Sequence, residues 1–238
     1  NYGYSKDIRI NNNKIKGLTL NKCFNVVIDS NYFQWSDWNN STISVVNINN
    51  SKNTLFFKDT IYTSNIYAAR AVLSNSNNNI KIKNSFITVP SGCDGIGIQS
   101  EFDTLRYIEN NTIILSNGTW GWCGYRNSIM AKGGDSLYVT NNKIISSNHD
   151  YTGTGIQIYD NSITNYIISD NSIDYFRNGI LLLNNSINNT TKNNTILNSM
   201  YYGIKTTGNN GLINNNKIHK ITDGIGIINE ASNVKYYR

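Results

Sequence analysis

Residues 142–173 read NKIISSNHDYTGTGIQIYDNSITNYIISDNSI, and this stretch decides the fold. It opens on Asn142-Lys143-Ile144, passes through Gly155-Ile156-Gln157-Ile158, and closes on Asn171-Ser172-Ile173. An asparagine two residues before an aliphatic anchor returns after one intervening glycine-led run of alternating aliphatics. Alternation of period two is a strand with one face in and one face out. Return of the same motif at a fixed offset is the signature of a repeat.

Working outward, the Asn/Asp-x-apolar motif recurs as Asn13-Lys14-Ile15, Asn31-Tyr32-Phe33, Asp59-Thr60-Ile61, Asn84-Ser85-Phe86 and Asn111-Thr112-Ile113 upstream, and as Asn194-Thr195-Ile196 and Asn216-Lys217-Ile218 downstream. Successive anchors lie 18 to 31 residues apart, the length of one solenoid coil. The glycine motif interleaves as Gly17-Leu18, Gly95-Ile96-Gly97-Ile98, Gly179-Ile180-Leu181-Leu182, Gly203-Ile204 and Gly224-Ile225-Gly226-Ile227. Glycine ahead of each strand suits a corner of positive φ. Hairpin signals are few, and no 3.6-residue apolar period persists, so helices are not expected. The pattern predicts one all-β domain over 1–238, a right-handed parallel β-helix of about nine coils. Isoleucine stacks on isoleucine and asparagine on asparagine at about 4.8 Å per coil.

Asparagine makes up nearly one residue in five, and the chain is 39% apolar and 15% charged, with net charge +6. A patterned apolar fraction of that size excludes a disordered polyelectrolyte. The lysines are scattered and no run of like charge reaches five, which argues against a nucleic-acid partner. A mild positive surface suits either solubility or an acidic polymer. No apolar run approaches a membrane span. The three cysteines have no CxxC spacing, so zinc is not expected. Cys93 and Cys123 stand about one coil apart, a spacing open to stacking or a disulfide, with buried thiols the plainer reading. The start at Asn1 without Met or a signal peptide, and the lack of caps at either end, read as a piece excised from a longer chain.

The "NNxI … GIxI" repeats resemble the pectin-lyase-like superfamily, in particular its carbohydrate-binding and sugar-hydrolase type repeats, over nearly the whole chain. The resemblance implies an extracellular, cell-surface or virion location, a polysaccharide partner and, as in phage tailspikes, a homotrimer that would cover apolar residues such as Leu181 and Leu183. It implies depolymerisation by hydrolysis or β-elimination, with a non-catalytic adhesin or stalk as the alternative. The polygalacturonase pattern is not met. Cys93-Asp94-Gly95-Ile96 matches its first turn in position only, the next coil carries Tyr125-Arg126-Asn127 in place of two aspartates, and His149 is followed by Asp150.

Spacing locates the site. From glycine strand to the next anchor the distance is 14 to 17 residues, but from anchor to glycine strand it runs from 3 to 16. Uneven connections on one edge of a rigid solenoid are where binding surfaces are built. Those stretches hold Trp35, Trp38, Trp120, Trp122, Tyr151 and Arg70, whose rings and guanidinium suit sugar faces as well as wall packing. Catalytic candidates are Asp94, Glu101 and Asp150 as carboxyls, with Arg126 and Lys132 as cations for a uronate. Alternation turns Lys132, Gln157 and Tyr159 outward as a groove floor. Asp94 and Asp150 could hold calcium if the chemistry were elimination. Asp103 is a further carboxyl near this stretch.

Overall fold

The computed structural model describes residues 5–35, 43–63, 69–90, 95–116, 126–147, 153–159, 163–183, 188–207, 211–230 and 235–237. Every regular element among them is a β-strand, and every strand pairing is parallel. The strands form three sheets, here A, B and C, of ten, nine and nine strands. Chain order repeats A, B, C, so each coil adds one strand to each sheet and pairs only with the coils before and after it. This is the parallel β-helix that the repeat predicts, with nine coils and the first strand of a tenth.

An unbroken apolar column runs along the inner face of sheet B. Ile15, Phe33, Ile61, Ile87, Ile113, Ile144, Ile173, Ile196 and Ile218 lie opposite one another, coil upon coil. Sheet C supplies a second column from Leu18 through Val46, Val72, Ile98, Ile129, Ile156, Ile180 and Ile204 to Ile227. Each fully buried member contributes about 1.5–3 kcal/mol. In the fourth coil the expected anchor is displaced by one residue. Phe86 points out, 43% exposed, and Ile87 fills the column. With two polar residues, Asn84 and Ser85, ahead of two apolar ones, the motif could be read in either register, and Ser85 is the one that turns inward.

The corner between sheets A and B explains the asparagines. The backbone N–H of Asn111 donates to Asn142 Oδ1 at 3.0 Å, Asn142 N–H to Asn171 Oδ1 at 2.9 Å, and Asn171 N–H to Asn194 Oδ1 at 3.0 Å. The side-chain amides of the same residues donate to the same oxygens, at 2.9–3.0 Å. The ladder runs from Asn13 through Asn31, Asp59 and Ser85 to Asn216. The residue before each rung has a left-handed backbone: Asn12, Ser30, Lys58, Asn84, Asn110, Asn141, Asp170, Asn193 and Asn215 all have φ of 51–59°. Asparagine tolerates that conformation better than most side chains, which accounts for the many Asn-Asn pairs.

The strand glycines of sheet C do a different job from the one expected. Positive φ at described glycines is confined to Gly133, Gly134 and Gly153. Gly97, Gly155, Gly179 and Gly203 instead face the wedge where sheet C meets sheet B. A Cβ on Gly179 would sit 2.6 Å from the Gly203 carbonyl oxygen and 2.6 Å from Ile196 Cγ2, and Gly155 is hemmed in the same way by Ile173. Glycine is required by close approach, not by turn geometry.

A second corner ladder joins sheets C and A: Cys23 N–H to Ser51 Oγ, Ser51 N–H to Asn77 Oδ1, and Asn77 N–H to Asp103 Oδ1. Asp103 is fully buried and accepts from Ser100 Oγ as well, so it belongs to the interior and not to a surface site. Arg106, 1% exposed, lies beside it and donates to the Asp135 carbonyl at 3.3 Å. Cys23 is a buried free thiol; Cys93 and Cys123 lie outside the described residues.

Three outcomes follow from this packing. Asn142→Ala leaves the Asn111 donors without an acceptor and should lower stability in urea unfolding by about 1–3 kcal/mol per orphaned buried group; Asn142→Ser, which copies Ser85, should lose less. Gly179→Ala should destabilise by about 1–3 kcal/mol through overpacking, whereas Gly226→Ala, with nothing within 4 Å of the added carbon, should be near neutral. Burial pushes the Asp59 carboxyl up to about 6. The native state then keeps a proton that the unfolded chain loses near pH 4, so this contribution fades as pH rises from about 4 to 6. In thermal melts the advantage of Asp59→Asn over the parent should grow between pH 4.5 and 7.

Candidate functional site on the outer face of sheet C

The uneven spacing does fall between sheets B and C. Coil five runs from Ser116 to Asn127 before sheet C resumes, coil seven only from Asp174 to Asn178. Asp94, Trp38, Trp120, Trp122, Asp150 and Tyr151 lie in those connections, outside the described residues. Trp35 does not belong to a connection. It ends the sheet B strand Tyr32–Trp35, its ring packs against Gly17 and the core, and Lys16 Nζ sits 5.0 Å from its centroid.

The remaining candidates separate into two groups at opposite ends of the sheet C strands. Arg70 lies near the start of Ala69–Asn75, and Arg126 immediately precedes Asn127–Lys132. Arg126 is buried, and Gly153 of the next coil folds so closely on it that a Cβ there would lie 2.1 Å from the Arg126 carbonyl oxygen. Glu101 and Lys132 end their strands and pair across neighbouring coils, and the Tyr159 N–H, bonded to the Ala131 carbonyl, continues that column. Arg126 and Lys132 are six residues apart along an extended strand, roughly 20 Å. They cannot serve one bond.

Between the two groups the face is closed. Gln99, Asn127, Thr154 and Gln157 are buried, so Gln157 is not the open groove floor expected for it. Leu181 and Leu183 are half-buried. The open part of the face is the end near sheet A, where Lys132 is half-buried and Tyr159 is 48% exposed. Gln99 Nε2 donates to Glu101 Oε1 at 2.5 Å, which orients that carboxylate. Phe102, which spacing did not single out, completes the patch. It is 49% exposed, has φ of 54°, and carries Lys132 Nζ 5.8 Å from its ring centroid. A bulky left-handed residue is an outlier. The signal was available in register: the corresponding corner of the three preceding coils holds Lys22, Asn50 and Ser76, also of positive φ and none aromatic.

Glu101 is the single carboxylate on this face among the described residues of coils three to six. No group of three acidic, histidine or cysteine side chains arranged for a metal occurs among the described residues. No described helix is long and apolar enough to cross a membrane.

No protein-family model and no curated protein sequence matches the chain. Solved structures do. The tailspike protein of the E. coli bacteriophage HK620, in complex with a pentasaccharide, aligns with TM-score 0.53 at 11% identity over 93% of this chain and 45% of its own. The A-module of the Azotobacter vinelandii mannuronan C-5 epimerase AlgE4 aligns with TM-score 0.46 at 12% identity, over 94% and 79%. PfbA, a surface adhesin of Streptococcus pneumoniae, aligns with TM-score 0.43 at 12% identity, over 94% and 71%. Identities this low show the fold alone, and the fold is the three-sheet parallel β-helix.

Proposed function

We propose that this β-helix binds and depolymerises an extracellular or cell-surface polysaccharide on the outer face of sheet C. The observation that carries this is the patch of Phe102, Lys132, Tyr159 and Glu101 at the strand ends. Two exposed aromatics flank an ammonium group across adjacent coils, and a hydrogen-bonded carboxylate lies beside them. Aromatic side chains offer apolar faces to sugar rings, and Lys132 is the natural partner for an acidic sugar.

The donor set favours β-elimination over hydrolysis. Elimination needs a cation against the sugar carboxylate and a base at the adjacent carbon, not two carboxyls about 5–9 Å apart. Lys132 takes the first role, with Glu101 or Tyr159 placed for the second. Arg126, Asp94 and Asp150 belong to the other end of the strands and the connections beyond, where Arg126 would meet a different part of a bound chain and the two aspartates would act there or hold calcium. A homotrimer and a location on a virion or cell surface fit the same reading. A Gln99-bonded carboxylate with no second acid among the described residues of the patch is also what a binding protein without catalysis would carry, and the assay separates the two.

The protein should be incubated with anionic bacterial polysaccharides and followed by reducing ends and by the ultraviolet absorbance of unsaturated uronate. Release of both is expected, with Lys132→Ala and Tyr159→Ala each lowering the rate about tenfold or more, the scale of losing about 1.4 kcal/mol at the transition state. Binding without product points to the adhesin reading. Neither binding nor product would overturn both.

A further inference from the structure

Sheet B has an outer face that the sheet C reading does not use. Along it, outward positions form two columns: Lys14, Tyr32, Thr60, Phe86 and Thr112, and beside it Gln34, Tyr62, Thr88 and Ile114. Tyr32, Tyr62 and Phe86 are 36%, 37% and 43% exposed. They occupy three successive coils, and from coil five on the same two columns hold no Phe, Tyr or Trp. Scattered surface aromatics are ordinary; three gathered on one flat face are not.

The face is not a continuous apolar patch. Thr60 separates Tyr32 from Phe86, and Gln34 and Thr88 flank Tyr62, so hydrogen-bonding side chains alternate with rings. No outward position of sheet B in coils one to four is acidic, and Lys14 Nζ stands 5.7 Å from the Tyr32 ring. Tyr32 and Phe86 are two coils apart, about 10 Å along the axis. Rigid rings at the coil repeat, interleaved with hydroxyls and an amide and free of negative charge, match the alternating apolar faces and hydroxyls of a sugar chain. A protein surface would ask for a contiguous apolar centre instead.

We infer that Tyr32, Tyr62 and Phe86 form a second carbohydrate-binding platform, holding an extended polysaccharide chain along the solenoid axis by ring stacking. It is separate from the sheet C patch and needs no chemistry there. It would tether the protein to its polymer while the other face works.

The test compares three proteins on an array of neutral and anionic glycans: the parent, Tyr32→Ala/Tyr62→Ala/Phe86→Ala, and Lys132→Ala/Tyr159→Ala. All changed side chains are at the surface, and unchanged thermal melting checks the fold. The platform variant should lose affinity for at least one glycan class by about tenfold or more, the effect of removing stacked rings, while the sheet C variant keeps that binding. Equal binding by the platform variant and the parent would overturn the inference, as would binding by neither. Concentration-dependent self-association of the parent that the platform variant abolishes would assign the face to a second copy of the chain and overturn it too.

Discussion

Every coil of this protein is held in register by one contact, a corner side-chain oxygen that accepts the backbone N–H of the coil before it. Strand pairing alone would leave the stack free to slip, because neighbouring strands are so alike that several registers would pair. The A–B corner removes that freedom. Its rung must be short, carry an acceptor and face inward, and the residue before it must accept a left-handed backbone. Asn-Asn satisfies both at once, and Ser or Asp can replace the rung, as Ser85 and Asp59 do. The composition bias toward asparagine is thus in good part a structural requirement, whatever else contributed to it.

Once register is locked at the corner, parity determines the rest. Along each strand of sheet C alternate residues turn inward and outward, and a side chain's height on the cylinder is its coil number. Lys132 therefore stands between Glu101 and Tyr159 by construction. Arg126 and Lys132 share a coil and are separated by position along it, since Arg126 immediately precedes the strand that Lys132 ends. The interior also has polar content. Asp103, Ser100 and Arg106 form a buried group in coils four and five, with burial pushing the Asp103 carboxyl up, against Ser100, Asn77 and the Arg106 charge. An aspartate as a C–A rung is stable only with such donors around it.

The fold was legible because its information is repeated. Eight of nine sheet B anchors fall where spacing puts them, and the ninth slips by one because Asn84 and Ser85 both qualify as the polar rung. The glycines were found but misread, since a sequence shows that a side chain is missing and not whether turn or neighbour forbids it; Gly179 is closed off by Ile196 and Gly203, residues far along the chain. The site was less legible. Spacing pointed to the connections between sheets B and C and to Lys132, Tyr159 and Glu101, but grouped these with Arg126 because it could not show which end of a strand each occupied. Phe102 was missed because it sits in a short constant connection, and Tyr62 because it directly follows the Ile61 anchor, where spacing does not show that the strand continues. Both become visible only when coils are superimposed.

Amide hydrogen exchange read residue by residue tests the ladder most directly. The backbone N–H groups of Asn31, Asn111, Asn142, Asn171 and Asn194 sit at turns, where exchange is ordinarily fast. The account predicts protection equal to that of the adjoining strands, lost together when the solenoid unfolds. Exchange at the rate of open turns, with the strands still protected, would contradict it.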